Sequence, residues 1–175
     1  MSFPESYSAK NMAQGAVTEI RDASGSRLEL QRDSLRDLKT IQTPHGHWIR
    51  FTHDDQSRIT KAEDDKGNWV RYGYGEDRYG MLLYAVQSSG KERHYDYQDR
   101  LMTTITNERG RVLLRNIYNS GALVRQEYAS GDVYEYRHIW NARRTYYADK
   151  VIVTPPDHTQ KEVPVSESVL PYFKR

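Results

Sequence analysis

The sequence predicts an all-β fold, an antiparallel β-meander of tandem units folded as one curled or spiral sheet. Three observations predict it. Glycines recur at a nearly constant spacing, each behind a short polar turn. Apolar residues stand at fixed distances from those glycines. Between them, apolar and polar residues alternate with the period of two that marks a half-buried strand.

The glycines carry the repeat. Gly25, Gly46, Gly67, Gly90, Gly110 and Gly131 are separated by 21, 21, 23, 20 and 21 residues. The turns before them are Asp22-Ala23-Ser24, Thr43-Pro44-His45, Asp64-Asp65-Lys66, Gln87-Ser88-Ser89, Asn107-Glu108-Arg109 and Tyr128-Ala129-Ser130. A type I turn favours Asp or Asn first, Pro second and Gly fourth. Asp22, Asp64 and Asn107 fit the first slot, Pro44 the second, and the glycine closes a short hairpin at positive φ.

The flanks agree with this reading. Val17, Leu38, Ile59, Leu82, Met102 and Leu123 stand eight residues before each glycine. Leu28, Ile49, Val70, Leu113 and Tyr134 stand three residues after, and Leu30, Phe51, Tyr72, Tyr95 and Tyr136 five after. A second polar turn closes each unit, at His53–Ser57, Gly75–Arg78, Asp96–Asp99 and Asn119–Gly121. One unit is thus two strands and two turns, and six units give about twelve strands. The next turn falls at Tyr147-Ala148-Asp149-Lys150, without a glycine. Three segments follow: residues 1–16 as an arm or cap, 17–153 as the repeat domain, and 154–175 as an extended tail with Pro155, Pro156, Pro164 and Pro171.

Composition narrows the function classes. Hydrophobic residues make up 37% of the 175 residues and charged ones 29%, which suits one extended sheet better than a thick core. Fourteen tyrosines argue against disorder. A net charge of +2 gives no field for nucleic acid. The absence of cysteine excludes thiolate and disulfide chemistry. No stretch is long and apolar enough for a helical membrane span. Met1-Ser2-Phe3-Pro4-Glu5 lacks the apolar run of a signal peptide.

The unit Gly90-Lys91-Glu92-Arg93-His94-Tyr95-Asp96, followed by Arg100-Leu101-Met102 and Ile105, resembles the Rhs/YD-repeat family of bacterial toxin-shell and teneurin-like proteins. Arg50-Phe51-Thr52-His53-Asp54 with Ser57-Arg58-Ile59 repeats the pattern, and the resemblance covers about residues 17–147. It implies a structural β-shell module in a secreted, cell-surface or toxin-delivery protein. Such shells need many more than six units. The Asp-Pro-x-Gly element of the family's self-cleaving members is missing, so no proteolytic residue carries over.

No chemistry-bearing constellation competes with that reading. Gly73–Gly80 lacks the Lys-Ser/Thr and following helix of a phosphate loop and reads as a widened turn. His47 and His53 are separated by about 20 Å of strand, too far to share an ion with His45. Asp54-Asp55 and Asp64-Asp65 fall in turns, where Asp bonds its own backbone. Arg137, Arg143, Arg144 and Lys150 with Tyr146 and Tyr147 read as a solvated basic face. The expectation is a non-enzyme with no cofactor and no metal. Its partners are other proteins, met through the unpaired sheet edges by self-association or by pairing with similar repeats. Val151-Ile152-Val153 and Val163-Pro164-Val165 are the apolar stretches suited to adding an edge strand. The alternative is a carbohydrate- or protein-binding face formed by Trp48, Trp69, Tyr72, Tyr74, Tyr95, Tyr97, Tyr134 and Tyr136.

Overall fold

The computed structural model describes residues 16–141 and 144–164. Among them there is no helix, hence none that crosses a membrane, and there are fourteen strands. The chain divides into two units, Met1–Glu92 and Arg93–Arg175.

The first unit holds β1 (Glu19–Arg21), β2 (Arg27–Arg32), β3 (Leu38–Gln42), β4 (Trp48–His53), β5 (Ile59–Asp64), β6 (Trp69–Tyr74) and β7 (Leu82–Gln87). Each pairs antiparallel with the next, so the unit is an up-and-down meander. The second unit follows the same plan. It runs through β8 (Glu92–Gln98), β9 (Leu101–Asn107), β10 (Val112–Asn119), β11 (Ala122–Tyr128), β12 (Val133–Asn141), β13 (Arg144–Thr154) and β14 (Lys161–Pro164).

The six repeat glycines have φ between +72° and +94°. Each hairpin closes in the same way. At Gly67 the amide donates to the Asp64 carbonyl at 3.2 Å, and the Asp64 amide donates to the Asn68 carbonyl at 2.9 Å. This is a type I turn followed by a left-handed residue. The first-slot side chain completes it. One oxygen of Asp64 accepts from the amides of Lys66 (3.0 Å) and Asn68 (2.8 Å). Asp22 and Asn107 do the same for their own turns.

The opposite turns use different chemistry. Asp33 and Asp54 again cap the turn, but the left-handed residues are Arg36 (φ 75°) and Ser57 (φ 60°), not glycines. Asp99 (φ 50°) and Arg100 (φ 68°) make a two-residue turn with Gln98 opposite Leu101, as do Ser120 and Gly121 between Asn119 and Ala122.

Two expected turns are corrected. Asp96, Tyr97 and Gln98 lie in β8, because the tight turn at Asp99 and Arg100 lets Tyr97 stay in register opposite Met102. Tyr147 to Lys150 lie inside β13 rather than in a turn. No residue there takes the left-handed conformation a tight hairpin needs, and the valine-rich run that follows favours continued strand. The expected wide turn at Gly73–Gly80 narrows to a loop closed by the Gly75 amide on the Met81 carbonyl, 2.8 Å. Gly73 itself is in β6, where an added Cβ would overlap the ring of its cross-strand partner Tyr84. Within 154–175, Lys161–Pro164 forms β14 and Val163 pairs with Val151. The expected arm at 1–16 and the tail from Val165 onward lie outside the described residues, except for Ala16.

There is almost no core. Among the described residues only Ile152 (8% exposed), Thr40 (7%) and Asn116 (6%) are buried. Nothing surrounds the Cβ position at Gly67 or Gly110, so only backbone strain opposes a side chain there. Gly67→Ala and Gly110→Ala are each expected to destabilise by about 1 kcal/mol, the order of the left-handed penalty. Urea titration monitored by circular dichroism measures this, and neutral outcomes at both sites would show the turn account to be wrong. Acid should also loosen the turns. Hydrogen bonding, first from the Asn68 side chain, holds the Asp64 carboxyl below its ordinary value. Its contribution is therefore complete above the unfolded carboxylate range near pH 4 and is lost as pH falls through the lower folded value. Asp64→Asn, which copies the native Asn107 turn, should melt with a shallower decline between pH 5 and pH 2 than the unsubstituted chain. Equal slopes would refute the assignment.

Candidate interaction surface

Strand register sorts the aromatic residues by face. In the first unit Leu30, Ile41 and Ile49 are cross-strand neighbours, as are Phe51, Ala62 and Val70, and Tyr72 faces Ala85. These residues and Tyr74 share one face. Trp48 and Trp69 lie on the other, opposite Gln42 and Glu63, with Arg50, Lys61 and Arg71. The eight aromatics expected to form one binding surface therefore do not. Trp48 is three residues from Phe51 on β4 and Trp69 three from Tyr72 on β6, and alternation puts them on the opposite side. In the second unit Tyr95, Tyr97, Tyr134 and Tyr136 do share a face, with Ile105, Leu114 and Tyr128. Tyr128 and Tyr134 pack edge to face at 5.6 Å.

What the aromatic residues do follows from the bulges. Strands β5, β9 and β11 each carry an extra residue near their start, where register slips opposite His53, Tyr97 and Tyr118. Such a slip takes a carbonyl out of the ladder. The next strand supplies the missing donor. The Tyr74 hydroxyl donates to the Ile59 carbonyl at 2.7 Å, and Tyr118 donates to Met102 at 2.8 Å. His138 takes the third position, with Nε2 2.8 Å from the Leu123 carbonyl. A carbonyl only accepts, so Nε2 carries the proton. The extra residues Thr60 and Thr103 turn their hydroxyls back to the carbonyls of Thr52 and Asp96, both at 3.2 Å. Sequence reading did not find this device. The signal was available in the spacing of 15, 16 and 15 residues from Ile59, Met102 and Leu123 to Tyr74, Tyr118 and His138.

A polar row crosses the second unit on its aromatic face. Asn116 donates to the Met102 carbonyl at 2.9 Å and accepts from the Gln126 amide at 2.9 Å. The Tyr136 hydroxyl donates to Gln126 in turn. The row spans β9 to β12 and leaves no buried side-chain polar atom without a partner among the described residues. Burial pushes the phenols of Tyr74, Tyr97 and Tyr136 above their ordinary value, and the first and last of these donate the bonds described.

Charged residues pair both at the turns and on the strands. His47 Nδ1 meets Asp65 at 2.8 Å, joining neighbouring glycine turns, and this bond holds the Asp65 carboxyl down. Arg58 pairs with Asp54 at 2.8 Å and lies over the Tyr74 ring at 4.7 Å. Lys150 pairs with Glu162 at 2.8 Å. Of the rest of the expected basic face, Arg137 is exposed on β12, while Arg143 and the side chains of Arg144, Tyr146 and Tyr147 lie outside the described residues. Among the described residues no group of three or more acids and histidines is placed to hold a metal ion.

The sequence model of a family described as Teneurin YD-shell matches residues 3–161. A search of curated proteins finds no match. The crystal structure of TcdB2-TccC3-TEV resembles the chain with a TM-score of 0.50 at 10% identity, over 81% of this chain and 10% of that one. That of TcdB2-TccC3-Cdc42 gives 0.49 at the same identity and coverage. The chain thus spans about a tenth of these proteins' length, and the first likeness speaks for the fold alone. Two substitutions test the side-chain bonds. Tyr74→Phe should cost about 1 kcal/mol, one net hydrogen bond, and Asn116→Leu about 1–3 kcal/mol because it strands the Gln126 amide. Denaturant unfolding reads both, and no loss at either position would mean that the carbonyls are served by solvent instead.

Proposed function

Because the chain belongs to the teneurin YD-shell family, we propose that it serves as a non-catalytic stretch of β-shell wall, either part of a larger shell or docked to one, in a secreted or toxin-delivery protein. The observation that carries this reading is the near absence of a core. Only three described residues are buried, yet the strands within each unit pair in unbroken succession and no buried side-chain polar atom among the described residues lacks a partner. Such a sheet suits a wall that continues into further strands rather than a self-contained body.

The edges supply the means. In the second unit β13 has β14 on one side, and β14 consists of four exposed residues, Lys161–Pro164. Pro164 and the charged Lys161 and Glu162 blunt that edge against indiscriminate pairing, while Val151-Ile152-Val153 beneath it are apolar. Strand addition needs main-chain hydrogen bonds and no pocket. The glycan alternative has less support on the tryptophans, since each indole already carries an arginine guanidinium on a ring face.

Removing residues 155–175 strips β14 and bares the β13 edge. The truncated chain is expected to self-associate or aggregate, with the first unit's melting behaviour little changed. Light scattering and thermal melts on full and truncated chains make the comparison. Unchanged mass, solubility and melting would sink the proposal that edges are where this protein meets its partners.

A further inference from the structure

Two adjacent repeats share a pattern that the others lack. Trp48-Ile49-Arg50 and Trp69-Val70-Arg71 stand two to four residues after Gly46 and Gly67. The matching outer positions of the other four repeats hold Arg27 and Glu29, Glu92 and His94, Val112 and Leu114, and Val133 and Glu135. The repeat therefore folds without a Trp–Arg pair, and its presence twice in succession calls for another reason.

The geometry supplies one. The Arg50 guanidinium lies over the Trp48 ring, 3.9 Å from its centroid, and Arg71 lies over Trp69 at 4.7 Å. Both indoles are half-buried and both arginines exposed. Glu63 is the cross-strand neighbour of Arg50, but its carboxylate turns to Lys61 on its own strand at 2.6 Å. Among the described residues neither Arg50 nor Arg71 has a carboxylate partner. A guanidinium over an indole face is weakly hydrated and keeps N–H donors whose fork matches a carboxylate. The two stacks sit two strands apart, about 10 Å, with Lys61 on the strand between them.

We propose that this polar face of the first unit is a docking surface for an acidic, extended segment of a partner protein, whose carboxylates are taken by Arg50 and Arg71. Alternate residues of an extended chain point to one side about 7 Å apart, within the swing of two arginine side chains. Charge also favours a peptide over nucleic acid. Glu63 stands inside the patch, and a net charge of +2 is too small to hold a phosphate backbone. This surface is separate from the sheet edges and stands whether or not the shell-wall reading holds.

The test titrates the full 175-residue chain with an octapeptide of alternating Glu and Thr and with its Gln–Thr counterpart, read by tryptophan fluorescence and calorimetry. The acidic peptide should bind saturably, weaken with salt, and exceed the neutral one. Arg50→Gln and Arg71→Gln should each weaken it by about threefold to fivefold, the upper range for exposed ion pairs. Arg50→Lys should recover only part of the loss, since it keeps the charge without the fork. Arg109→Gln, an exposed turn position in the second unit, removes the same charge and should leave binding unchanged. Matched thermal melts confirm that the variants fold. Equal binding of the two peptides, an equal loss in Arg109→Gln, or equally tight binding of oligothymidylate or inorganic phosphate would each overturn the proposal.

Discussion

The strand pairing of this protein depends on closing hairpins with one or two residues in the left-handed region. That residue sets where each strand stops and hence which side chain faces which. A one-residue slip would send an entire strand's apolar residues to the wrong face. With only three described residues buried, little packing exists to correct such an error, so the turn itself must specify register. The capping oxygens of Asp22, Asp33, Asp54, Asp64 and Asn107 contribute by preorganising the turn from within.

A thin sheet also changes what holds the strands together. Hydrophobic burial is divided over many half-exposed residues, and hydrogen bonds bear more of the specificity. The bulges of β5, β9 and β11 each strip a carbonyl from the ladder, and a tyrosine or histidine on the following strand restores its partner. The aromatic ring then covers part of the sheet while its polar end completes the backbone. This accounts for tyrosine rather than phenylalanine at positions 74 and 118 and for the histidine at position 138. The Asn116–Gln126–Tyr136 row extends the same economy across four strands.

The glycine turns were legible in the sequence because each needs a residue without a Cβ after a polar run. The opposite turns were harder to place. Arg36, Ser57 and Arg100 adopt positive φ with ordinary side chains, so no compositional mark distinguishes them from the strand ends. The same ambiguity displaced the expected turn at Asp96–Asp99. Alternation announced strands reliably, yet grouping the aromatics as one surface ignored the parity that separates Trp48 from Phe51. The arginine stacks, the bulges and the side-chain partners of their carbonyls depend on contacts between strands, and a linear pattern holds these only as a faint offset near 15 residues.

Within each unit every strand pairs with its immediate successor, and the loops are short. Closing any one hairpin therefore requires no distant part of the chain, which is unusual for an all-β protein, where long-range pairing normally slows folding. Such a chain is suited to zipping up in the order of its synthesis, each new hairpin adding to a template already in place. An unfinished molecule then exposes its two edge strands rather than a collection of unpaired ones, which limits the surface open to misassociation during synthesis.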